Sequence, residues 1–524
     1  MTILAVLVWA RMAAGSDYYV SPSGDDARDG RTPAAAWRTI DKVNRTILQP
    51  GDQVLFEGGQ TFRGTVRFDR ATKGTPEARI VVTSYGTGRA TIEGGAGDAI
   101  RLDRVEHLDV RNLNVRGLGR KEGNDNGRGI FPTGCRHLVI DGVEATSFQR
   151  AGIEFQGCDH LRITRVYAHD NGYAGISSGP ERIPWSTDVR IDHCRAINNP
   201  GHPGILNNHS GSGIVLYRVD GGVVEYCEAV ENGWDMPRDG NGPVGIWIAF
   251  CRNVVIQYNI SHHNKTSPNG YDGGGFDFDG DVHDSILQYN YSYENMGAGY
   301  LLCTWDAGRP CSNNTVRYNL SQDDGGLHHR AGIHVYRGSA QRNVQIYNNV
   351  IFNSHGRHGV TGSVPSDFAF RNNIFVLRGN GRFVEGVGDG VFQGNLYWNA
   401  DGLDNWDGHP SLEAWRAATG KETLDGAPVG LNLDPLLTQV GAGERITDPT
   451  KLPALLAYRL RPGSPCLDTG LDLQARFGLD PGRRDFYGHP IPRGAGFDIG
   501  AHEAEGNPVR AGEGSAASSS GARP

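Results

Sequence analysis

The sequence predicts an all-β solenoid, and three observations carry the prediction: a degenerate repeat, a recurrent column of Asn, and a composition rich in turn residues. The chain has 524 residues with 75 Gly, 21% charged and 38% hydrophobic residues. That length exceeds a single ordinary core, and so much Gly with so little charge suits many short strands joined by tight turns. The repeat runs through VIDGVEA, RITRVYAHDNG, RIDHCRAINN, VVEYCEAVENG, VIQYNISHHN, ILQYNYSYEN, TVRYNLSQDD, IYNNVIFNS, FRNNIFV and FQGNLYWN. Its apolar anchors, from Ile140 to Phe392, are spaced by 22 to 33 residues, as coils of constant strand length with variable loops would be.

Three positions past the anchors stand Val143, Val166, Cys194 and Cys227, then Asn259, Asn290, Asn319, Asn349, Asn373 and Asn395. Asn171, Asn199, Asn232, Asn264 and Asn295 form a second column. Stacked amides satisfy donor and acceptor together along the axis, so the periodicity explains these Asn better than scattered glycosylation sequons do.

Taken in order, residues 1–16 carry a short apolar run and small residues, a leader-like segment too short to span a bilayer. An exported protein, secreted or periplasmic, is expected. Residues 17–100 are read as an N-terminal cap and first coils; Trp37, Ile40, Val43 and Ile47 fall at the spacing of a short capping helix. Residues 101–400 hold the coils. Residues 401–503 are read as an irregular C-terminal cap with a helix at SLEAWRAATG, and 504–524 as a tail too poor in apolar residues to fold. Net charge is −8 with no basic stripe, which argues against nucleic acid. No membrane association and a monomer are expected.

Repeat and Asn columns together resemble the right-handed parallel β-helix proteins of the pectate-lyase-like superfamily. The entry segment YYVSPSGDDARDGRTPAAAWRTI and the later LRPGSPCLDTG and FDIGAHE look like opening and closing segments of extracellular members. The resemblance implies a right-handed parallel β-helix. Such proteins mostly cut, eliminate or epimerise polysaccharides, and some are adhesins or tailspikes; fold alone does not choose.

A second alignment, on the Gly that opens each coil's other strand, locates a surface. Residues one and three past each Gly should fill the interior, and residues two and four should face solvent. One outward column then reads Glu154, Ser177, Val215, Trp247, Asp277, Leu301, His334, Thr361; its neighbour includes Tyr217, Asp279, Cys303 and Tyr336. Exposed aromatics bordering carboxylates suit a sugar-binding groove.

Asp277 and Asp279, at i and i+2 and so ~6.5–7 Å apart at Cα, are the candidate acid and base of a glycoside hydrolase, with His334 and Tyr336 beside them. Trp247, Tyr217, Trp305, Asp306, Arg330, Arg337 and Glu154 are the candidate substrate-binding residues. A polysaccharide lyase or uronate epimerase is the alternative, with Asp272 and Asp281 joining a Ca²⁺ site; no other cofactor is implied. A glycan-binding tailspike or adhesin is the third reading. Of the eight Cys, five repeat-column thiols (Cys135, Cys158, Cys194, Cys227, Cys251) read as buried and free, while Cys303 and Cys311 bracket a loop that a disulfide could close.

Overall fold

The computed structural model describes residues 15–121, 127–179 and 182–505. Most of the leader-like segment and of the C-terminal tail lie outside these residues.

Three long sheets, of 14, 12 and 14 strands, run side by side, and every strand pairing within them is parallel. Each coil contributes one strand to each sheet, as Asp159–Thr164, Tyr167–His169 and Ala174–Ser177 do, before the next begins at Ser186. This is the right-handed parallel β-helix expected. The anchors Ile140, Ile163, Ile191, Val224, Ile256 and Leu287 lie one above another and are fully buried. Alternation of the strand therefore builds a single continuous apolar column.

The bend from the first sheet to the next repeatedly places a residue other than Gly at positive φ: Arg165, His193, Tyr226, Tyr258, Tyr289 and Tyr318. That conformation costs roughly 1–2 kcal/mol for an L-residue. Directly after it, where the first amide ladder runs, hydrogen bonds offset the cost. Asn259, Asn290, Asn319, Asn349 and Asn373 each donate their amide to the next Asn Oδ1, the last being that of Asn395, at 2.9–3.0 Å. Each also accepts a backbone N–H from the preceding coil, beginning with Cys227 at 2.9 Å. The second ladder, Asn171 to Asn295, is built the same way at 2.9–3.1 Å.

At the N-terminal end the helix is shorter than its periodicity suggests, Ile40–Asn44, with Thr39 as N-cap. Trp37, Ile40 and Val43 are buried, but Ile47 lies past the helix end and is exposed. The helix Leu412–Thr419 is capped by Ser411 and Gly420. Residues 431–505 do more than close the end. They lie back along the flank of the coils, covering Tyr289, Tyr293, Tyr318 and Tyr347. Tyr289 donates its hydroxyl to the Arg484 carbonyl and Tyr347 to that of Asp480, both at 2.7 Å. All eight cysteines, Cys303 and Cys311 included, are free thiols. Among the described residues no helix is long and apolar enough to cross a membrane.

Candidate active site

The outward column of the 12-stranded sheet is in register as expected: Glu154 pairs with Ser177, then Val215, Trp247, Asp277, Leu301, His334 and Thr361 follow. Long connections rise at the sheet's edges. Residues 198–211, 231–245 and 263–275 precede the strands Ser212–Tyr217, Ile246–Ala249 and Phe276–Phe278, and 304–310 follows Tyr300–Cys303. They raise walls around the expected groove, which becomes a partly open pocket of about 780 Å³. Its floor is Asp277, Asp279, Leu301 and Cys303, and its walls include Asn207, Asn208, His209, Arg238, Asn241, Tyr271, Asp272, Trp305, His329 and Tyr336.

Those loops bury aromatics that a bare sheet would expose. Trp247 and Tyr217 both line the cavity, but at 4% and 6% accessible they are packed into its wall and are not open stacking platforms. They form a second, outer core with Tyr173, Val244 and Phe250. Trp247 packs edge-on against Tyr217 at 5.5 Å and His209 at 4.9 Å, and donates its indole N–H to Ser212 Oγ at 3.1 Å. His209 Nε2 is hydrogen-bonded to the Tyr217 hydroxyl at 2.8 Å. The rim is where rings remain accessible: Trp305 at 38%, Tyr336 at 42% and Tyr271 at 61%.

Three carboxyls meet in this cavity. Asp277 lies between Trp247 and Leu301, is 3% exposed, and its Oδ1 has no hydrogen-bond partner. Burial, then the charges of Asp279 and Asp272, hold it protonated well above the usual carboxylate range. Asp279 is partly exposed and accepts the Gly280 N–H at 2.8 Å. Burial pushes it up to about 6, against the lowering effect of hydrogen bonds from the Cys303 thiol and Gly280. Asp272, also partly exposed, sits on a left-handed turn (φ 66°) and accepts the Gly242 N–H at 2.8 Å. Burial, with repulsion from Asp279, raises it to about 7 despite that hydrogen bond. His209 and His329, both lowered to about 3 by burial, stay neutral.

Several residues read from the sequence lie elsewhere. Glu154 is fully buried between Arg128 and Arg150, with Arg128 Nε at 2.9 Å. His334 is outside the cavity lining; it stacks behind His329 at 4.1 Å and holds Thr361 Oγ1 at 2.8 Å. Arg330 is exposed and Arg337 donates to the Trp305 carbonyl; neither lines the cavity. Asp306 turns away to accept the Gly308 N–H at 2.9 Å. Asp281 pairs with His283 at 3.1 Å instead of joining a carboxylate cluster. Ca²⁺ takes about six to eight oxygen ligands. The three carboxyls that remain, Asp272, Asp277 and Asp279, do not bring one oxygen each within 4.8 Å of one another, so among the described residues they form no ready-made Ca²⁺ cluster.

Sequence reasoning missed Asn207, Asn208, His209, Arg238, Asn241, Tyr271 and His329. Its one signal was the long spacing between Ile191, Val224 and Ile256, where the wall-forming loops are inserted.

The family described as a right handed beta helix region matches residues 91–280 and 205–375, more than half of the chain. The chain belongs to the right-handed β-helix family. A lacto-N-biosidase of Bifidobacterium longum subsp. longum is 24% identical, aligned over 77% of this chain and 31% of its own. The β-helix chain thus spans about a third of that relative's length. The crystal structure of a GH136 lacto-N-biosidase from Eubacterium ramulus is similar at 20% identity and TM-score 0.51, covering 75% of this chain and 68% of that one. Pectate lyase Pel9A covers 94% and 97% at 17% identity and TM-score 0.47.

Proposed function

We propose that this β-helix protein is an exported glycoside hydrolase acting on an oligosaccharide. The observation that carries the reading is one loop-walled pocket holding two partly exposed aspartates, Asp272 and Asp279, pushed to about 7 and about 6. Carboxyls that burial raises toward neutrality are suited to acid and base roles. Asp272, the higher, donates its proton to the glycosidic oxygen as the bond from C1 to that oxygen breaks. Asp279, ionised, acts at C1 directly or through a water molecule. Asp277 keeps its proton beneath them. It belongs to the cavity floor, and its lesser accessibility makes Asp272 the better partner for Asp279.

The name lacto-N-biosidase, carried by the curated relative and by the GH136 structure, supports hydrolysis of an oligosaccharide. Elimination and epimerisation have less support. They need a cation to neutralise a uronate, and among the described lining residues Arg238 is the one cationic side chain facing three carboxyls.

Incubation of the full chain with arrays of neutral and of uronate-containing oligosaccharides tests the proposal. Reducing sugar without an unsaturated uronate is expected, and Asp279→Asn should abolish its release. Products absorbing as unsaturated uronates would overturn hydrolysis.

A further inference from the structure

We propose that a second cleft, at the N-terminal end of the same sheet, binds an acidic sugar through Arg67 and Arg101. The cleft has a volume of about 230 Å³ and is lined by Thr65, Arg67, Gly97, Asp98, Arg101 and Arg128. Arg67, on strand Val66–Phe68, and Arg101, on strand Ile100–Asp103, are direct register partners. Like charges placed opposite each other across two strands destabilise the pairing.

Elsewhere on these coils an acid resolves the same conflict. Arg63 and Arg116 share Glu93 at 2.9 and 2.7 Å, Arg79 and Arg111 share Asp109 at 2.6 and 2.5 Å, and the register partners Arg162 and Arg190 share Asp192 at 3.1 and 3.3 Å. In the cleft the single acid is Asp98, drawn between Arg101 at 3.4 Å and Arg128 at 3.6 Å. Arg128 also takes Glu154 at 2.9 Å. Arg67 has no side-chain partner among the described residues. Two guanidinium forks, one without an acid and one weakly paired, thus face a common space. Such forks match a carboxylate or a sulfate ester through paired N–H donors.

The cleft lies six strands from Phe276–Phe278 in the sheet order, roughly 29 Å at ~4.8 Å per strand, so it is separate from the candidate active site. A glycan-borne anion and a free inorganic anion share this chemistry, and titration calorimetry on the full chain separates them. The probes are glucuronic acid and galactose 6-sulfate, with galactose and inorganic sulfate as controls. Both acidic sugars are expected to bind, with Arg67→Gln and Arg101→Gln each weakening them at least about tenfold and Asp279→Asn leaving them unchanged. Equal binding of galactose, absence of binding, or wild-type affinity in the Gln variants would overturn the proposal. Inorganic sulfate binding as tightly as the sulfated sugar would mean an adventitious ion only. As a second measurement, the melting temperature of Arg67→Gln without ligand should stay level or rise, because a like-charge contact is relieved. A fall would assign Arg67 a structural role and sink the binding role.

Discussion

Asp324 accepts the side-chain amide of Asn295 at 2.8 Å, so the second ladder ends on a carboxyl where every earlier rung is an amide. The first ladder ends the same way, Asn395 donating to Glu422 at 2.8 Å. A terminal rung has donors to accept and none to pass on, which is the work of an acceptor-only group. Burial nevertheless raises Asp324 to about 6 and Glu422 to about 7, outweighing the hydrogen bonds that favour their charged forms.

Raised carboxyls make stability fall with pH. The folded state holds protons that the unfolded state has released, so the stability present below the ordinary carboxylate value near 4 is lost as pH rises through 6 to 7. For Asp324 the displacement from 3.8 to about 6 corresponds to on the order of 3 kcal/mol at pH 8. Asp324→Asn keeps the acceptor for Asn295 and turns an amide towards Ser321. The variant should melt at or above the wild type at pH 8, with the advantage gone by pH 4. A lower melting temperature at pH 8 would show that the charge stabilises the ladder end.

The interior of the ladder should be less forgiving. Asn290 donates to Asn319 and to the Ile256 carbonyl and accepts from the Asn259 amide and backbone. Asn290→Leu leaves buried partners unsatisfied at about 1–3 kcal/mol each, so a loss of at least ~3 kcal/mol is expected in denaturant unfolding. An unchanged midpoint would remove the ladder from the stability argument.

The coils and ladders were legible in the sequence because each coil repeats the same burial problem, and the solution recurs at fixed register. The outward column could be written residue by residue for the same reason, from Glu154 to Thr361. Its environment could not. Whether Trp247 faces water depends on loops 198–211 and 231–245, which follow no period. Alternation gives a side chain's direction but not what lies above it. Asp272 was not read as a partner of Asp279 because it lies off the strand, where no alternation assigns a face, and the terminators Asp324 and Glu422 break the Asn pattern that made the ladders visible.

Trp247 and Trp305 should therefore respond differently to truncation. Trp247→Ala empties a packed outer core and should cost roughly 3–5 kcal/mol of stability. Trp305, accessible at the rim, should leave the fold unchanged as Trp305→Ala while raising KM several-fold with kcat little altered. Equal loss of stability in both variants would contradict the division between outer core and rim.

The acid and base assignment makes a pH-rate prediction. Hydrolysis needs Asp279 ionised, so the rate rises as pH passes upward through about 6, and Asp272 protonated, so it falls above about 7. The expected kcat/KM profile is a narrow bell centred between the two values, which belong to the interacting cluster and not to either group alone. Asp279→Asn should remove activity at every pH, since no replacement charge forms at C1. Asp272→Asn should slow hydrolysis of poor leaving groups by at least about a hundredfold but spare activated aryl glycosides, whose departure needs no proton, and should flatten the alkaline limb. Asp277→Asn keeps a neutral, hydrogen-bonding group of the same size and should retain most activity with both limbs present. If Asp277→Asn instead abolishes the alkaline limb and Asp272→Asn does not, the acid is Asp277 and the accessibility argument for Asp272 fails.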